Sequence, residues 1–277
     1  MPKESSKSIP GLKETNKVVF TSFSKKNFYM RAYISAFVLE NGNTPISPFM
    51  NFDYNLSNLV RKDDIRISNN TLIKKSDELW VFGEISDGVL VEIYLAKKKK
   101  LPIRYFTPLN DGLSFRETTE NNVRLEDVSS WMWELVQKNE SLERWHPRLR
   151  FNKEYPLVYT AYSKRNFYWQ IHINKFCLLR KAVPLNPFML FRYFLGDAVR
   201  RDSVYAANQN IIRIADELWT FGEISDGVLK EIDYKKSRKG PVKHFELIKS
   251  DPFVFRKIPK ELIRFEEPNL EGFRELL

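Results

Sequence analysis

The sequence carries a single cysteine, Cys177, which excludes an internal disulfide framework and any Cys-cluster zinc site. Histidine is almost as scarce. His146, His172 and His244 stand apart from one another, and no His/Asp/Glu set has metal-ligand spacing. There are ten glycines in 277 residues, and no G-x-x-x-x-G-K-[ST], G-x-G-x-x-G or G-x-S-x-G run, which argues against a P-loop, an ordinary dinucleotide site and a nucleophile elbow. No apolar run approaches the roughly 20 residues needed to cross a bilayer. The opening stretch MPKESSKSIPGLKETNK lacks the apolar core of a secretory signal. These absences set the expectation of a cytoplasmic protein without membrane contact, resident metal or cofactor.

What is present is a globular balance, with 43% hydrophobic and 29% charged residues. The 21 Phe, 12 Tyr and 6 Trp exclude disorder as the main state. Lys and Arg number 45 against 35 Asp and Glu, a net charge of +10 that favours anionic partners such as nucleotides, phosphates or nucleic acid. The excess is scattered, its longest run being Lys97 to Lys100, so a solvated basic surface is the plainer reading and nucleic-acid binding the sharper one.

The dominant feature is an internal repeat. SKKNFY (24–29) recurs as SKRNFY (163–168), SPFMNFDY (47–54) as NPFMLFRY (186–193), and DELWVFGEISDGVLVEI (77–93) as DELWTFGEISDGVLKEI (216–232). At a constant offset of 139, residues 19–106 match 158–245 at 41 of 88 positions. The chain therefore divides into a polar tail (1–16), a first copy (17–140), a linker (141–155) and a second copy (156–277). Each copy is long enough for a complete domain, and two such copies are expected to pack as an internal pseudo-dimer.

Within a copy, KVVFTS (17–22) and PLVYTA (156–161) read as strands, and 27–40 as a helix ended by Gly42. Thr44 to Ile46 enters the sheet, and SPFMNFDYNLSNLV reads as a loop leading into a helix. A helix over 61–75 precedes ELWVFG (78–83), apolar almost throughout as a strand covered on both faces should be. A helix over 89–99 and a strand over 102–106 complete the alternation. The order predicts α/β architecture: two tandem Rossmann-like (flavodoxin-like) parallel-sheet domains. Ligands of such sheets bind beyond the carboxyl ends of the strands. The loops 24–27 and 84–88 belong at that rim.

Nine consecutive residues, Phe82 to Leu90, are identical in the two copies. Either both copies keep a site there, or the loop is a packing hub. Ser86 or Asp87 can cap the following helix, and Gly88 allows a ligand to approach closely. Glu92 then sits about one turn in, where the helix dipole favours its ionised form. Such a carboxylate can attack a sugar C1, as in retaining glycosidases. Equally, Glu92 and Glu231 can be plain exposed helix glutamates, Glu231 with Lys235 at i+4. Lys25, Lys26, Lys164 and Arg165 can hold a phosphate or simply face water. Asn27 and Asn166 read as caps or sugar contacts, and Tyr29 and Tyr168 as core or base-stacking residues. Cys177 stands where the other copy has Val38, as a buried small apolar residue. Trp131 and Trp133 can close a pocket or seal the interface between copies, and the interface is the preferred reading.

The run D-E-L-W-V-F-G-E-I-S-D-G-V-L-V-E-I-Y-L-A-K-K-K-K-L-P-I-R-Y-F resembles the nucleoside 2-deoxyribosyltransferase superfamily. It is most similar to that superfamily's uncharacterised bacterial and phage branches, which carry A-D-E-L-W-x-x-G…S-x-G-x-x-x-E-I-x-x-A. The resemblance covers about 90 residues of each copy. It implies that Glu92 and Glu231 are nucleophiles toward an anomeric carbon, and that Asp77 and Asp216 lie on the nucleobase side of the pocket. It also implies that Ser86, Gly88, Ser225 and Gly227 approach sugar or phosphate. Asp87, Asp226, Ser24, Lys25, Asn27, Ser163, Lys164 and Asn166 join the candidate substrate-binding set. Two departures stand out: the first-strand loop S-F-S-K-K-N is not glycine-rich, and Lys235 replaces the alanine supplied by Ala96, so the second copy reads as a degenerate partner. Three functions follow as expectations. The first is an enzyme of N-glycosidic bonds, transferase or hydrolase; the second is a nucleotide or nucleotide-signal binding module; the third is a nucleic-acid-associated protein using its basic surface.

Overall fold

The computed structural model describes residues 17–109, 113–150 and 153–277, so the expected tail over 1–16 lies outside the described residues. The first copy runs β1 (Val18–Phe23), α1 (Arg31–Glu40), β2 (Thr44–Ile46), α2 (Pro48–Asn51), α3 (Asp53–Leu59), α4 (Lys62–Lys75), β3 (Glu78–Phe82), α5 (Asp87–Lys98), β4 (Ile103–Pro108), β5 (Phe115–Thr118) and α6 (Ser130–Gln137). The second copy repeats it as β6 (Leu157–Tyr162), α7 (Gln170–Leu179), β7 (Val183–Leu185), α8 (Pro187–Leu190), α9 (Arg192–Ala198), α10 (Arg201–Ile214), β8 (Glu217–Phe221), α11 (Asp226–Ser237), β9 (Val242–Ser250) and β10 (Phe253–Ile258).

Each copy builds a five-stranded sheet, ordered β2-β1-β3-β4-β5 in the first and β7-β6-β8-β9-β10 in the second. Four strands are parallel, and the last is an antiparallel edge. The expected pair of tandem Rossmann-like domains is thus present. The antiparallel edge escaped the sequence reading because FRET and FVFRKI alternate only weakly. The helix expected over 27–40 is α1 preceded by a 3-10 turn, Lys25–Met30, in which Asn27 is non-helical at φ −92° and ψ 15°. Of the loop leading into a helix expected after β2, the helix is α3, while the loop part folds into the short helix α2.

Strand alternation explains how the copies join. Val18, Phe20, Leu79 and Val81 turn to one face of the first sheet, and Leu157, Tyr159 and Leu218 to the matching face of the second, all within one shared core. The opposite faces keep private cores: Val19, Trp80 and Phe82 beneath α1, and Val158, Trp219 and Phe221 beneath α7. Cys177 is fully buried there, as expected. Each of these large side chains contributes roughly 1.5–3 kcal/mol on burial.

Equivalent elements meet across the seam. Helix α2 packs on α8, α4 on β7 with α10 on β2, and α1 on α9 with α3 on α7. Polar contacts knit the same surface. Asn51 Nδ2 donates to the Pro184 carbonyl at 2.6 Å, Asn174 Nδ2 to the Asn51 carbonyl at 2.6 Å, and Lys181 pairs with Asp64 at 2.8 Å. Trp133 is buried on its own copy, where α6 packs on α5, while Trp131 is exposed against Trp145; neither seals the seam. The segment expected as a linker is folded onto the first copy, with Leu142, His146 and Leu149 buried. The counterpart of α6, Pro268–Leu276, is a 3-10 segment.

Candidate functional site

A cleft of about 660 Å³ opens at the carboxyl ends of β1 and β3 in the first copy. Its wall on one side is apolar, made by Phe23, Pro48, Phe49, Phe52 and Ile65. Phe49 packs against Phe23 at 5.0 Å and edge-on to Phe28 at 5.5 Å, so the wall is a packed aromatic cluster. Its floor is polar, where Glu92, Ser86, Gly88 and Asn69 converge.

Glu92 rises from α5, and its side chain is half-buried beneath the cleft. The Ser22 hydroxyl, at the end of β1, donates to Glu92 Oε2. Burial pushes the Glu92 carboxyl up to about 7, against the opposing pull of the Ser22 hydrogen bond and the Arg148 guanidinium. Asn69 of α4 lines the same floor, and its buried Oδ1 has no hydrogen-bond partner. In a close-packed interior, such an orphaned acceptor invites a donor from a ligand or water.

Arg148 comes from the segment expected as a linker. His146 is buried, and its Nδ1 accepts from the Arg148 backbone N–H at 3.3 Å, so Nε2–H donates to Asp87 Oδ1 at 2.7 Å. Arg148 itself lies 3.5 Å from Asp87 Oδ2. Its Nη1 sits 3.1 Å from where a Cβ on Gly88 would stand, so the absence of that Cβ makes room for the guanidinium. Asp87 therefore anchors this strap as well as starting α5. At the mouth, Asp127 Oδ1 accepts from the Asp87 N–H at 2.9 Å, and Lys26 pairs with Glu126 at 3.0 Å. An isolated bridge between Ile85 and Leu125 holds that loop in place.

Of the expected set in the first copy, Glu92, Ser24, Lys25, Ser86, Asp87 and Gly88 line the cleft together. Asn27 does not. Its Nδ2 lies 2.8 Å from where a Cβ on Gly83 would stand, and Gly83 has φ +80°, so Asn27 packs the β3–α5 turn. Asp77 and Asp216 are a correction. They precede β3 and β8, at the opposite end of the sheet from the cleft. Asp77 Oδ2 accepts from the Val18 N–H at 2.8 Å, and Asp216 Oδ2 from the Leu157 N–H at 2.8 Å. Asp216 also meets Lys75 of the other copy at 3.1 Å, and Asp77 meets Arg213 at 4.0 Å, so both pin strand starts at the seam. Tyr29 and Tyr168 are exposed rather than part of the core.

The second copy ties its glutamate and both serines into internal bonds and leaves Asp226 and Lys164 at the surface. Tyr159 stands where the first copy has Phe20, and its hydroxyl donates to Glu231 Oε1 at 2.5 Å while lying 2.9 Å from Asn208 Oδ1. Asn208 Nδ2 donates to Glu231 Oε1 at 3.0 Å. Burial raises the Glu231 carboxyl to about 7, against those two bonds. Ser163 Oγ accepts from the Arg165 N–H at 3.1 Å and Ser225 Oγ from the Val228 N–H at 3.4 Å. Asp226 pairs with Lys230 at 2.7 Å on the surface, and Lys164 is exposed. Asn166 lies against Gly222 as Asn27 does against Gly83, and the Ser225 hydroxyl lies 3.9 Å from where a Cβ on Gly227 would stand. Lys235 does not pair with Glu231. It is buried and donates to the carbonyls of Ala215 and Ile212.

Sequence reasoning missed Ser22, Asn69, Glu126, Asp127 and Arg148. Asn69 carried a signal, since it is identical to Asn208 at the repeat offset. Arg148 carried none, because it lies outside the repeated stretch. Among the described residues, no group of three or more His, Cys, Asp or Glu could hold a metal ion, and no helix is long and apolar enough to cross a membrane.

No curated protein and no solved structure matches the chain. Residues 20–106 and 158–245 each match a family model described as a domain of unknown function (DUF7768). The two matches cover more than half of the chain, and each takes in the parallel strands of one sheet, so the chain belongs to the DUF7768 family and carries its domain in two tandem copies.

Proposed function

We propose that the first copy binds a nucleoside or nucleotide and acts on its N-glycosidic bond, as a deoxyribosyltransferase or an N-glycoside hydrolase. The observation that carries this reading is the Glu92 carboxyl, presented at the floor of an aromatic-walled cleft with Ser22 and Arg148 beside it. The cleft volume suits a nucleoside-sized ligand. Phe23 and Phe49 offer a face to the base, and Asn69 Oδ1 an acceptor to a sugar hydroxyl.

The chemistry needs only this chain. With Ser22 holding Oε2, Glu92 Oε1 attacks the anomeric carbon. The C–N bond breaks, its electron pair leaves with the base nitrogen, and that nitrogen takes a proton from solvent. The sugar is then an ester of Glu92. A second base or a water attacks the same carbon, restores the carboxylate and, for water, yields the free sugar. Arg148 favours the ionised form that attacks, and burial keeps that form from dominating until the pH passes about 7.

A binding module is the second reading, favoured by that same raised carboxyl, which in its protonated form donates a hydrogen bond to a ligand. Incubating the chain with nucleosides, nucleotides and NAD, and following free base by chromatography, separates the two. The proposal expects base release or exchange that Glu92→Gln abolishes. Absence of both overturns it, and binding that survives Glu92→Gln without any turnover favours the module. Steeply salt-dependent DNA or RNA binding, indifferent to the cleft, favours the nucleic-acid alternative.

A further inference from the structure

The cleft has a neighbour. A groove of about 380 Å³ lies between α4 and α5, sharing Asn69, Gly88, Glu92 and Arg148 with the main cleft and adding Lys62 and Arg66. The two spaces therefore meet at Glu92. Their chemistry differs sharply: the main cleft is aromatic and rich in acids, whereas the groove is lined by three cations and by Glu92 as its single acid. We infer that this groove is a phosphate subsite, and that the substrate of the Glu92 site is a nucleoside phosphate rather than a nucleoside. The inference rests on the proposed reading for the base and sugar, and on the groove itself for the phosphate.

Three features support it. Lys62 and Arg66 lie seven and three residues before Asn69 on α4, roughly 10 and 5 Å along the helix axis. That is the reach of a ribose 5′-phosphate from a sugar held at Asn69 and Glu92. The arginines are held loosely. Arg66 meets Asp63 at 3.1 Å with both side chains well exposed, and Arg148 meets Asp87 only at 3.5 Å. Surface pairs of this kind contribute little, and a phosphate dianion binds the guanidinium fork more strongly than they do. Finally, α4 and α5 both begin at this rim and add the partial positive charge of their first turns. The second copy keeps only part of the set. Arg201 matches Lys62, but Tyr205 stands in place of Arg66, Arg148 lies outside the repeat, and Lys230, in place of Val91, pairs with Asp226.

The test is calorimetric titration of the full chain with deoxynucleosides, their 5′-monophosphates and inorganic phosphate, for the parent, for Lys62→Ala/Arg66→Ala and for Glu92→Gln. At least one monophosphate is expected to bind roughly tenfold or more tighter than its nucleoside, with the double variant losing that advantage and Glu92→Gln keeping it. Equal affinity for nucleoside and monophosphate overturns the inference, as does an advantage that survives the double variant. Inorganic phosphate binding as tightly as the nucleotide also overturns it, because the groove then serves a free anion. If monophosphates bind preferentially but no base is ever released, the glycosidic reading fails and the phosphate subsite stands.

Discussion

The two copies carry the same loop, the same helix and the same glutamate, yet they use them differently. In the first, Glu92 is held by one serine beneath an open cleft, and Asn69 is left with an orphaned acceptor. In the second, two exchanges change the outcome: Ala161 lacks the Ser22 hydroxyl, and Tyr159 replaces Phe20 and joins Glu231 to Asn208 in a closed set of bonds. Nothing in the Phe82–Leu90 identity distinguishes these states. The difference comes from β1 and β6, and from the strap that brings Arg148 over Gly88. A duplicated domain thus keeps its fold through identical turns while one copy satisfies these polar groups internally and the other leaves Asn69 Oδ1 unpaired beneath an open cleft.

The largest expected effect follows from copying the closed state into the open one. Phe20→Tyr places a hydroxyl where Asn69 lacks a partner. Base release should fall by about two orders of magnitude or more, while the melting temperature holds or rises, because a satisfied hydrogen bond contributes about 1 kcal/mol. Chromatography of free base together with a thermal melt checks both. Lost activity accompanied by a large drop in melting temperature would point instead to overpacking.

The reverse change sharpens the contrast. Tyr159→Phe strips Asn208 and Glu231 of a shared partner in a buried setting, at a cost of about 1–3 kcal/mol. Chemical denaturation should show this, with base release unchanged. A gain of turnover dependent on Glu231 would show that the tyrosine alone silences the second copy.

Both carboxyls lie above their ordinary value of 4.5, at about 7, chiefly through burial. The unfolded chain then ionises first as pH rises from about 4.5 to 7, so each group lowers stability over that window and the penalty persists above it. Glu231→Gln should therefore raise the melting temperature at pH 8 and leave it unchanged near pH 4. Catalysis adds a second expectation. Activity rises with pH through about 7 as Glu92 ionises, and Arg148→Ala moves that rise to higher pH by removing the nearby positive charge. A profile unmoved by Arg148→Ala would separate Arg148 from the Glu92 carboxyl.

The smallest effect is expected at the seam. Asp216→Ala removes the acceptor for the Leu157 N–H and the partner of Lys75. A melting temperature lower by a few degrees is expected, with no change in base release. A kinetic effect exceeding the stability effect would return this residue to the site.

The internal repeat makes much of this architecture legible from the residues alone. ELWVF and VVFTS have the composition of strands covered on both faces, and all of their residues are buried. The Ser86–Asp87–Gly88 turn and Glu92 are legible because helix capping and spacing are local properties. What stays hidden depends on contacts between distant segments. Asp77 resembles a site residue by its neighbours in sequence, but it lies at the amino end of β3, where it binds Val18. Ser22 becomes important only through a partner 70 residues away, and Arg148 only because His146 and Asp87 fold the strap back.

The most direct test of the account is to quench a reacting mixture in acid and map the sugar adduct by peptide mass spectrometry. The account predicts a glycosyl mass on the peptide containing Glu92, lost in Glu92→Gln, and none on the peptide containing Glu231. An adduct on Glu231, or turnover with both glutamates replaced by glutamine, would contradict it.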